Sequence, residues 1–359
     1  MRRIEQAWQT RGLIAWALLP LALVYRLIMT IRRYAYAQGW LATTPVSLPV
    51  VVVGNLSVGG TGKTPLCAYL VNHFKERGWR PAIVSRGYGG QRRESPHMVV
   101  VGNSPAEVGD EPLMLFQQTN VPVCVCTKRA QAVQHLAEHT DTNIVFADDG
   151  LQHLAMPREA EIVVVDGARG FGNGWSLPAG PMREPASRLK YADVIAIQAG
   201  EGELHRSLER SLNCLPGNGP SSSINRFSLK LDKAVSLSNG TSRSLDSFNE
   251  NNIVAIAGIG HPKRFFNAIR AYGLNVMGIA WPDHHVYSLA DLEPYIDSVV
   301  LVTSKDAVKL KTLATSHMDE DKQRLFQNVF EVTTTLVPGE QLIQQVDALE
   351  KTLRQQFLS

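Results

Sequence analysis

The sequence is poor in cysteine. Four stand among 359 residues (Cys67, Cys124, Cys126 and Cys214), and none forms a C-x-x-C pair. That excludes a disulfide scaffold and fits a reducing compartment. With 44% hydrophobic, 19% charged and only 7% aromatic residues, the chain is neither disordered, nor collagen-like, nor a multi-span membrane protein. Acid is nearly missing from one end. Residues 1–33 hold Arg2, Arg3, Arg11, Arg26, Arg32 and Arg33 against Glu5, a net of +5, so the formal +3 of the whole chain leaves −2 for the remainder. The mild basicity is therefore a terminal feature and gives no sign of nucleic-acid binding.

That terminal segment also lacks a full crossing length. Gly12 to Tyr25 gives 14 uncharged residues before Arg26 interrupts, short of the roughly 20 that a bilayer requires. A signal peptide would need a small-residue cleavage site where Arg26 to Arg33 stand. A spanning helix would put positive charge on both sides. A monotopic helix keeps all its arginines at one anionic surface, and is the expectation here; a buried core helix is the plain alternative.

Past residue 45, short β-branched runs alternate with helical patterns. The runs are Val50–Val53, Ala82–Ser85, Met98–Val101, Pro122–Cys126, Asn143–Ala147, Glu161–Val165 and Val194–Ile197; Leu66–Arg77 and Lys128–Glu138 read as helices. This predicts an α/β fold with a mostly parallel sheet. Residues 216–223 are turn-rich and read as a linker. A second, smaller alternation follows, with strands at Ile253–Ala257, Val276–Ala280 and Ser298–Thr303. Its helices fall near Pro262–Tyr272, near Leu289–Ile296 and from about Gly339 to Gln356. The expected organisation is a membrane-associated helix (1–33), a P-loop domain (34–225) and a smaller α/β domain (226–359).

The strand at Val50 runs into Ser57-Val58-Gly59-Gly60-Thr61-Gly62-Lys63-Thr64, and a helix pattern follows. Strand, glycine loop and helix are the context of a phosphate-binding P-loop: main-chain N–H groups and the helix terminus face phosphate, Lys63 reaches the β/γ-phosphates, and Thr64 offers a hydroxyl to Mg²⁺. Ser57 stands where the strict Walker pattern has glycine. No Asn/Thr-Lys-x-Asp sequence for guanine follows a later strand: Thr303-Ser304-Lys305-Asp306 has Lys and Asp adjacent. ATP is therefore the expected nucleotide.

P-loop enzymes hold Mg²⁺ with an aspartate at a strand end. Asp148 and Asp149, before Gly150-Leu151-Gln152-His153, are the expected metal-site pair, because adjacent carboxylates need a shared cation; Asp166 reads as a strand-end cap. Three further clusters carry chemistry. Asp110 and Glu111 precede a helix, as a helix cap or a general base. Arg183, in Pro178–Pro185, offers charge to a phosphoryl group or pairs with Glu184. Asp283-His284-His285 suggests acid–base or substrate contact, there being too few ligands for zinc.

These motifs, with Ser85-Arg86-Gly87-Tyr88-Gly89, occur in an order that resembles the tetraacyldisaccharide 4′-kinase family, over residues 1 to about 310. The resemblance implies ATP-dependent phosphorylation of the 4′-hydroxyl of a tetraacylated disaccharide 1-phosphate, giving lipid IVA, at the cytoplasmic face of the inner membrane. It implies that Asp110 is the catalytic aspartate, paired with His284 or His285, that Asp148 and Asp149 hold metal, and that Arg183 serves the phosphate site. The implied partners are the acylated lipid and the membrane surface, without nucleic acid or a protein partner. Because Asp110 and the histidines fall in different predicted lobes, lobe closure is expected to assemble them. A rival reading is a membrane-associated P-loop ATPase acting as a switch or positioning protein. A third is a kinase or ligase for a soluble substrate. Neither needs both an acceptor-side acid–base set and a basic apolar helix.

Overall fold

The computed structural model describes residues 8–200, 202, 204–214, 225–248, 252–315 and 320–358. The expected linker at 216–223, along with Arg2, Arg3 and Glu5, lies outside the described residues.

Helix α1 (Leu13–Ala37) is longer than the apolar run suggests. Arginine is a good helix former, so Arg26 interrupts the hydropathy without ending the helix. One 18-residue window of α1 has a mean hydropathy of 1.9, enough by length and composition to cross a membrane. The elements that follow in order are β1 (Val50–Gly54), α2 (Lys63–Glu76), β2 (Pro81–Ser85), β3 (His97–Met98), α3 (Pro105–Val108), α4 (Asp110–Thr119), β4 (Val123–Val125), α5 (Arg129–His139), β5 (Ile144–Asp148), β6 (Ala160–Asp166), β7 (Val194–Gln198) and α6 (Arg206–Asn213). Next come β8 (Arg226–Ser236), β9 (Ser242–Ser244), β10 (Ile253–Ala257), α7 (Pro262–Ala271), β11 (Val276–Ala280), β12 (Val299–Thr303), α8 (Ser304–Thr315), α9 (Glu320–Gln327), β13 (Val329–Pro338) and α10 (Glu340–Phe357). The segment expected to be helical near Leu289–Ile296 forms two 3-10 turns, the second with Pro294 at its start.

The chain forms two compact units, and neither is continuous in sequence. The first comprises residues 1–85, 128–228 and 337–359; the second, 86–127 and 229–336. This differs from a single division near residue 225. The segment holding Asp110 belongs to the second unit, and α10 belongs to the first.

In the first unit the strands run β7-β6-β1-β5-β2, all parallel. β1 is central and all five of its residues are buried, as a sheet covered on both faces requires. On α2, Leu66, Leu70 and Phe74 are fully buried, and the Phe74 ring meets Phe146 of β5 edge-on at 5.2 Å. α10 clamps α2 from outside the core: Asp347 Oδ1 accepts from His73 Nε2 at 2.9 Å and Arg77 Nη2 at 2.7 Å, and Trp79 Nε1 donates to Glu350 at 2.7 Å. The P-loop helix is thus fixed by sheet contacts on one side and by polar anchors on the other.

The second unit has its own parallel order, β11-β10-β12-β13, and β13 neighbours β8. β9 pairs antiparallel with β8, and β3 with β4. Ile253, Ala255, Phe266, Ile269, Leu301 and Phe330 form a core on one face of this sheet.

Candidate active site

The P-loop half is built at the end of β1. Gly62, the residue before α2, has φ +84°, and a Cβ there would stand 3.3 Å from Gln198 and Phe227. Only glycine suits both that left-handed backbone and that space. The loop is braced by side chains that sequence reasoning did not single out. Asn55 Nδ2 donates to Thr61 Oγ1 at 3.2 Å. Arg169, paired with Asp166 at 3.0 Å, donates to the Gly60 carbonyl at 2.7 Å. Asp166 also accepts from the main-chain N–H groups of Ala168 and Arg169, which is the capping role its strand-end place implies.

Residues 181–183 run along the same loop. Ser57 bridges to Met182, the Val58 N–H donates to the Pro181 carbonyl at 2.8 Å, and the Arg183 N–H donates to Leu56 O at 2.7 Å. Ser57 and Val58 thereby tie the loop to residues 181–182. Gly59 has φ +105°, and Lys63 and Thr64 open α2.

This zipper delivers Arg183 to Asp149. Its Nη1 is 3.1 Å from both carboxylate oxygens, and Lys63 Nζ is 3.6 Å from Oδ1. Arg129 Nη1 donates to the Asp149 carbonyl at 2.9 Å. Burial pushes the Asp149 carboxyl up, but Lys63 and Arg183 outweigh it and hold the group below the usual carboxylate range. Arg183 does not pair with Glu184, which instead accepts from Gln152 at 2.8 Å and lies 3.5 Å from Arg188. Asp148 is buried at the end of β5, in register with Val53 of β1. The two adjacent aspartates therefore have different surroundings, one at a strand end and one joined to two cations.

The donor chemistry fits Mg²⁺. Thr64 offers a hydroxyl, Asp148 and Asp149 offer hard carboxylate oxygens, and Mg²⁺ characteristically retains waters and phosphate oxygens rather than an all-protein cage. Among the described residues no group of three or more His, Cys, Asp or Glu forms such a cage.

The second unit holds the acid–base set. Asp110 opens α4 and is 3% exposed. Gly109 before it has φ +91°, and a Cβ there would stand 2.6 Å from the Tyr88 carbonyl, so glycine lets the loop of Gly87–Gly90 pass beneath. His284 Nδ1 lies 3.1 Å from Asp110 Oδ2. Both residues belong to one compact unit, so their pairing needs no lobe closure, contrary to the expectation from their sequence positions. His285 does not share this role: its ring stacks on Trp281 at 4.4 Å and its Nε2 meets Asp291 at 3.3 Å.

Two lysines complete the cluster. Lys305 Nζ is 3.8 Å and Lys309 Nζ 3.6 Å from Asp110 Oδ2; Lys305 also meets Glu111 at 3.5 Å and Asp283 at 3.1 Å. Burial pushes the Asp110 carboxyl up, yet His284, Lys305 and Lys309 together hold it below the ordinary value. The hydrogen bond to Asp110 raises His284 above an ordinary histidine. The sequence signal for the lysines was a Lys pair four residues apart just after a strand end, which no known motif flagged.

Three described non-glycine residues have positive φ: Asn120, Asp149 and His284. Two of them are site candidates, in keeping with the concentration of backbone strain where side chains must be aimed.

The profile of the LpxK family, tetraacyldisaccharide-1-P 4′-kinase, matches residues 14–351. The chain belongs to this family. It is 40% identical over 319 residues to the tetraacyldisaccharide 4′-kinase of Psychrobacter arcticus, covering 86% of this chain and 82% of that one. With the Aeromonas hydrophila tetraacyldisaccharide 4′-kinase it shares 39% identity over 87% of this chain and 88% of the relative. Among solved structures, Aquifex aeolicus LpxK, crystallised in complex with ATP, superposes with a TM-score of 0.73 and 25% identity, over 96% of this chain and all of that one. The mostly parallel α/β fold is thus the fold of this kinase family.

Proposed function

We propose that the protein transfers the γ-phosphate of ATP to the 4′-hydroxyl of a tetraacylated disaccharide 1-phosphate, giving lipid IVA. The observation that carries this reading is the Asp110–His284 pair at 3.1 Å. A switch that only changes shape has no use for a buried, cation-flanked carboxylate joined to a histidine. Family membership supplies the substrate class.

The residues divide the work. The P-loop main chain and Lys63 bind the β- and γ-phosphates. Arg183 and Lys63, already gathered around Asp149, supply positive charge where phosphoryl charge develops. Thr64, Asp148 and Asp149 would hold Mg²⁺, which neutralises charge on the bridging phosphate oxygens when bound. Asp110 orients the acceptor hydroxyl and takes its proton, and His284 fixes the carboxylate. Positioning and charge neutralisation carry most of the acceleration in phosphoryl transfer.

The reaction occurs at the cytoplasmic face of the inner membrane, where α1 holds the enzyme in a monotopic manner. α1 is seated on the first unit. Ala15, Ala22 and Ala35 are buried, the Trp16 ring meets Trp175 edge-on at 5.0 Å, and Tyr25 Oη donates to the Arg183 carbonyl at 3.1 Å. Its other face leaves Leu13, Leu21, Leu23, Leu27, Ile28 and Ile31 exposed. A helix with one face on protein and the other bare and apolar suits a single leaflet. At its start a cavity of about 460 Å³ is lined by Arg11, Arg206 and Arg210 and by no acid, a charge pattern suited to anionic headgroups.

Incubation with radiolabelled ATP and membrane lipid extract tests the assignment. Label in a disaccharide lipid is the expected result; label appearing only as free phosphate sinks it in favour of the ATPase reading.

A further inference from the structure

Lys305 and Lys309 lie one helical turn apart on α8, and side chains four residues apart share a helix face. Both ammonium groups approach the same oxygen, Asp110 Oδ2, which already faces His284 Nδ1. The side chains of both lysines are largely buried. The carboxylates that meet them come from three places: Glu111 on α4, Asp283 beside His284, and Asp306 on α8 itself, which lies 3.4 Å from Lys309. Four carboxylates face two ammonium groups, and Lys305 also reaches the histidine, its Nζ 3.4 Å from His284 Nε2. Tyr88 packs edge-on to His284 at 5.0 Å, and Tyr287 lies 5.7 Å from Lys309.

The two oxygens of Asp110 are unequal. Oδ2 takes all three basic groups. Oδ1 accepts only from the Glu111 N–H, at 3.2 Å, among its described hydrogen bonds. It faces Gly89, where a Cβ would approach to 3.5 Å of Oδ1 and 3.3 Å of His284 Nδ1. The bare glycine keeps that side open.

We propose that Lys305 and Lys309 are positioning residues for proton transfer: they grip Oδ2 so that Oδ1 of a charged Asp110 is presented to the acceptor hydroxyl. This rests on the reading of Asp110 given above. In the step, the hydroxyl O–H bond breaks and its proton passes to Oδ1. The hydroxyl oxygen bonds the γ-phosphorus, and the bond to the β,γ-bridging oxygen breaks, its electron pair leaving with ADP. The lysines never touch the substrate. They stop a buried carboxylate from taking up a proton before the hydroxyl arrives.

The test uses full-length enzyme with Lys305→Met, Lys309→Met and the matching Lys→Arg variants, assayed across pH with ATP and the tetraacylated disaccharide 1-phosphate. Each Met variant is expected to lose roughly tenfold or more in kcat with the KM for ATP unchanged. Removing a cation raises the proton affinity of Asp110, so the acid limb of kcat/KM moves up by about one pH unit. The Arg variants, which keep the charge, restore the limb. In an Asp110→Asn background neither Met substitution lowers kcat further. NMR titration gives a readout without turnover: the His284 ring titrates at higher pH in Lys305→Met than in wild type, because a neighbouring cation is gone. An unchanged acid limb, or a loss uniform across pH that Arg does not repair, overturns the inference. If a Met variant does not fold, a wild-type limb in both Arg and Gln replacements overturns it equally. Wild-type enzyme that labels no disaccharide lipid overturns the acceptor reading itself, a separate failure.

Discussion

Asp110 and His284 are 174 residues apart in sequence and 3.1 Å apart in the fold. The geometry makes them a unit, with the histidine on one carboxylate oxygen and the Glu111 N–H on the other. Asp110→Asn is expected to lower kcat by about 10²–10⁴-fold, the usual scale of general acid–base catalysis, with the KM for ATP little changed. His284→Ala should cost less, and the double variant no more than Asp110→Asn alone, because groups that act together are not additive. Steady-state kinetics on the three variants checks this; additive losses in the double variant would separate the two roles.

His285 makes the contrast. It stacks on Trp281 and bonds Asp291, so its contribution is to the loop. His285→Ala is expected to lower the melting temperature while leaving kcat within a few-fold of wild type. A loss comparable to that of His284→Ala would show that the neighbouring histidine also serves the reaction.

Local signals made half of the site legible in the sequence. The P-loop reads from one strand, three glycines and Lys63-Thr64, all contiguous, and β1 and α2 follow nearly as those residues imply. The lysines and Arg129 escaped because a cation acquires meaning only through its partner, and their partners, Asp110 and Asp149, are distant in sequence. The strands β8 and β13 escaped for another reason: they mix buried with half-buried and exposed residues, unlike the continuous apolar runs that marked the central strands. The unit boundaries were hidden too, since a chain that leaves a domain and returns has no compositional mark where it does so.

Asp148 and Asp149 should respond differently to neutralisation. Asp148, a buried strand-end carboxylate, is expected to act on metal: Asp148→Asn raises the Mg²⁺ concentration needed for half-maximal rate. Asp149 holds Lys63 and Arg183 at 3.6 and 3.1 Å. Because its folded-state pKa is depressed, its stabilising contribution is present above the ordinary carboxylate pKa and is lost as pH falls through the lower folded value. Asp149→Asn should therefore flatten the melting temperature against pH on the acid side, whereas wild type falls there. Both replacements should raise the Mg²⁺ requirement, but only Asp149→Asn should flatten the melt; thermal melts between neutral and acid pH decide this, and an equally flat profile for Asp148→Asn would remove the distinction.

The two faces of α1 separate attachment from folding. The bare face carries Leu23, Leu27 and Ile31, each more than half exposed. Each large apolar side chain moved from water into an apolar phase contributes roughly 1.5–3 kcal/mol, so three acidic replacements remove enough to detach a single-leaflet helix. Leu23→Glu, Leu27→Glu and Ile31→Glu together are expected to abolish co-flotation with anionic vesicles while leaving the melting temperature near wild type. Ala22 lies on the other face and is 3% exposed; Ala22→Leu overpacks that seam and should destabilise by about 1–3 kcal/mol without weakening vesicle binding by the bare face. Because Tyr25 of the same helix bonds the Arg183 carbonyl, a disturbed seam should also lower kcat on detergent-dispersed substrate, where attachment no longer matters. If the triple glutamate variant still floats with vesicles, α1 is not the anchor. If it melts far below wild type, the bare face is packed against protein rather than lipid.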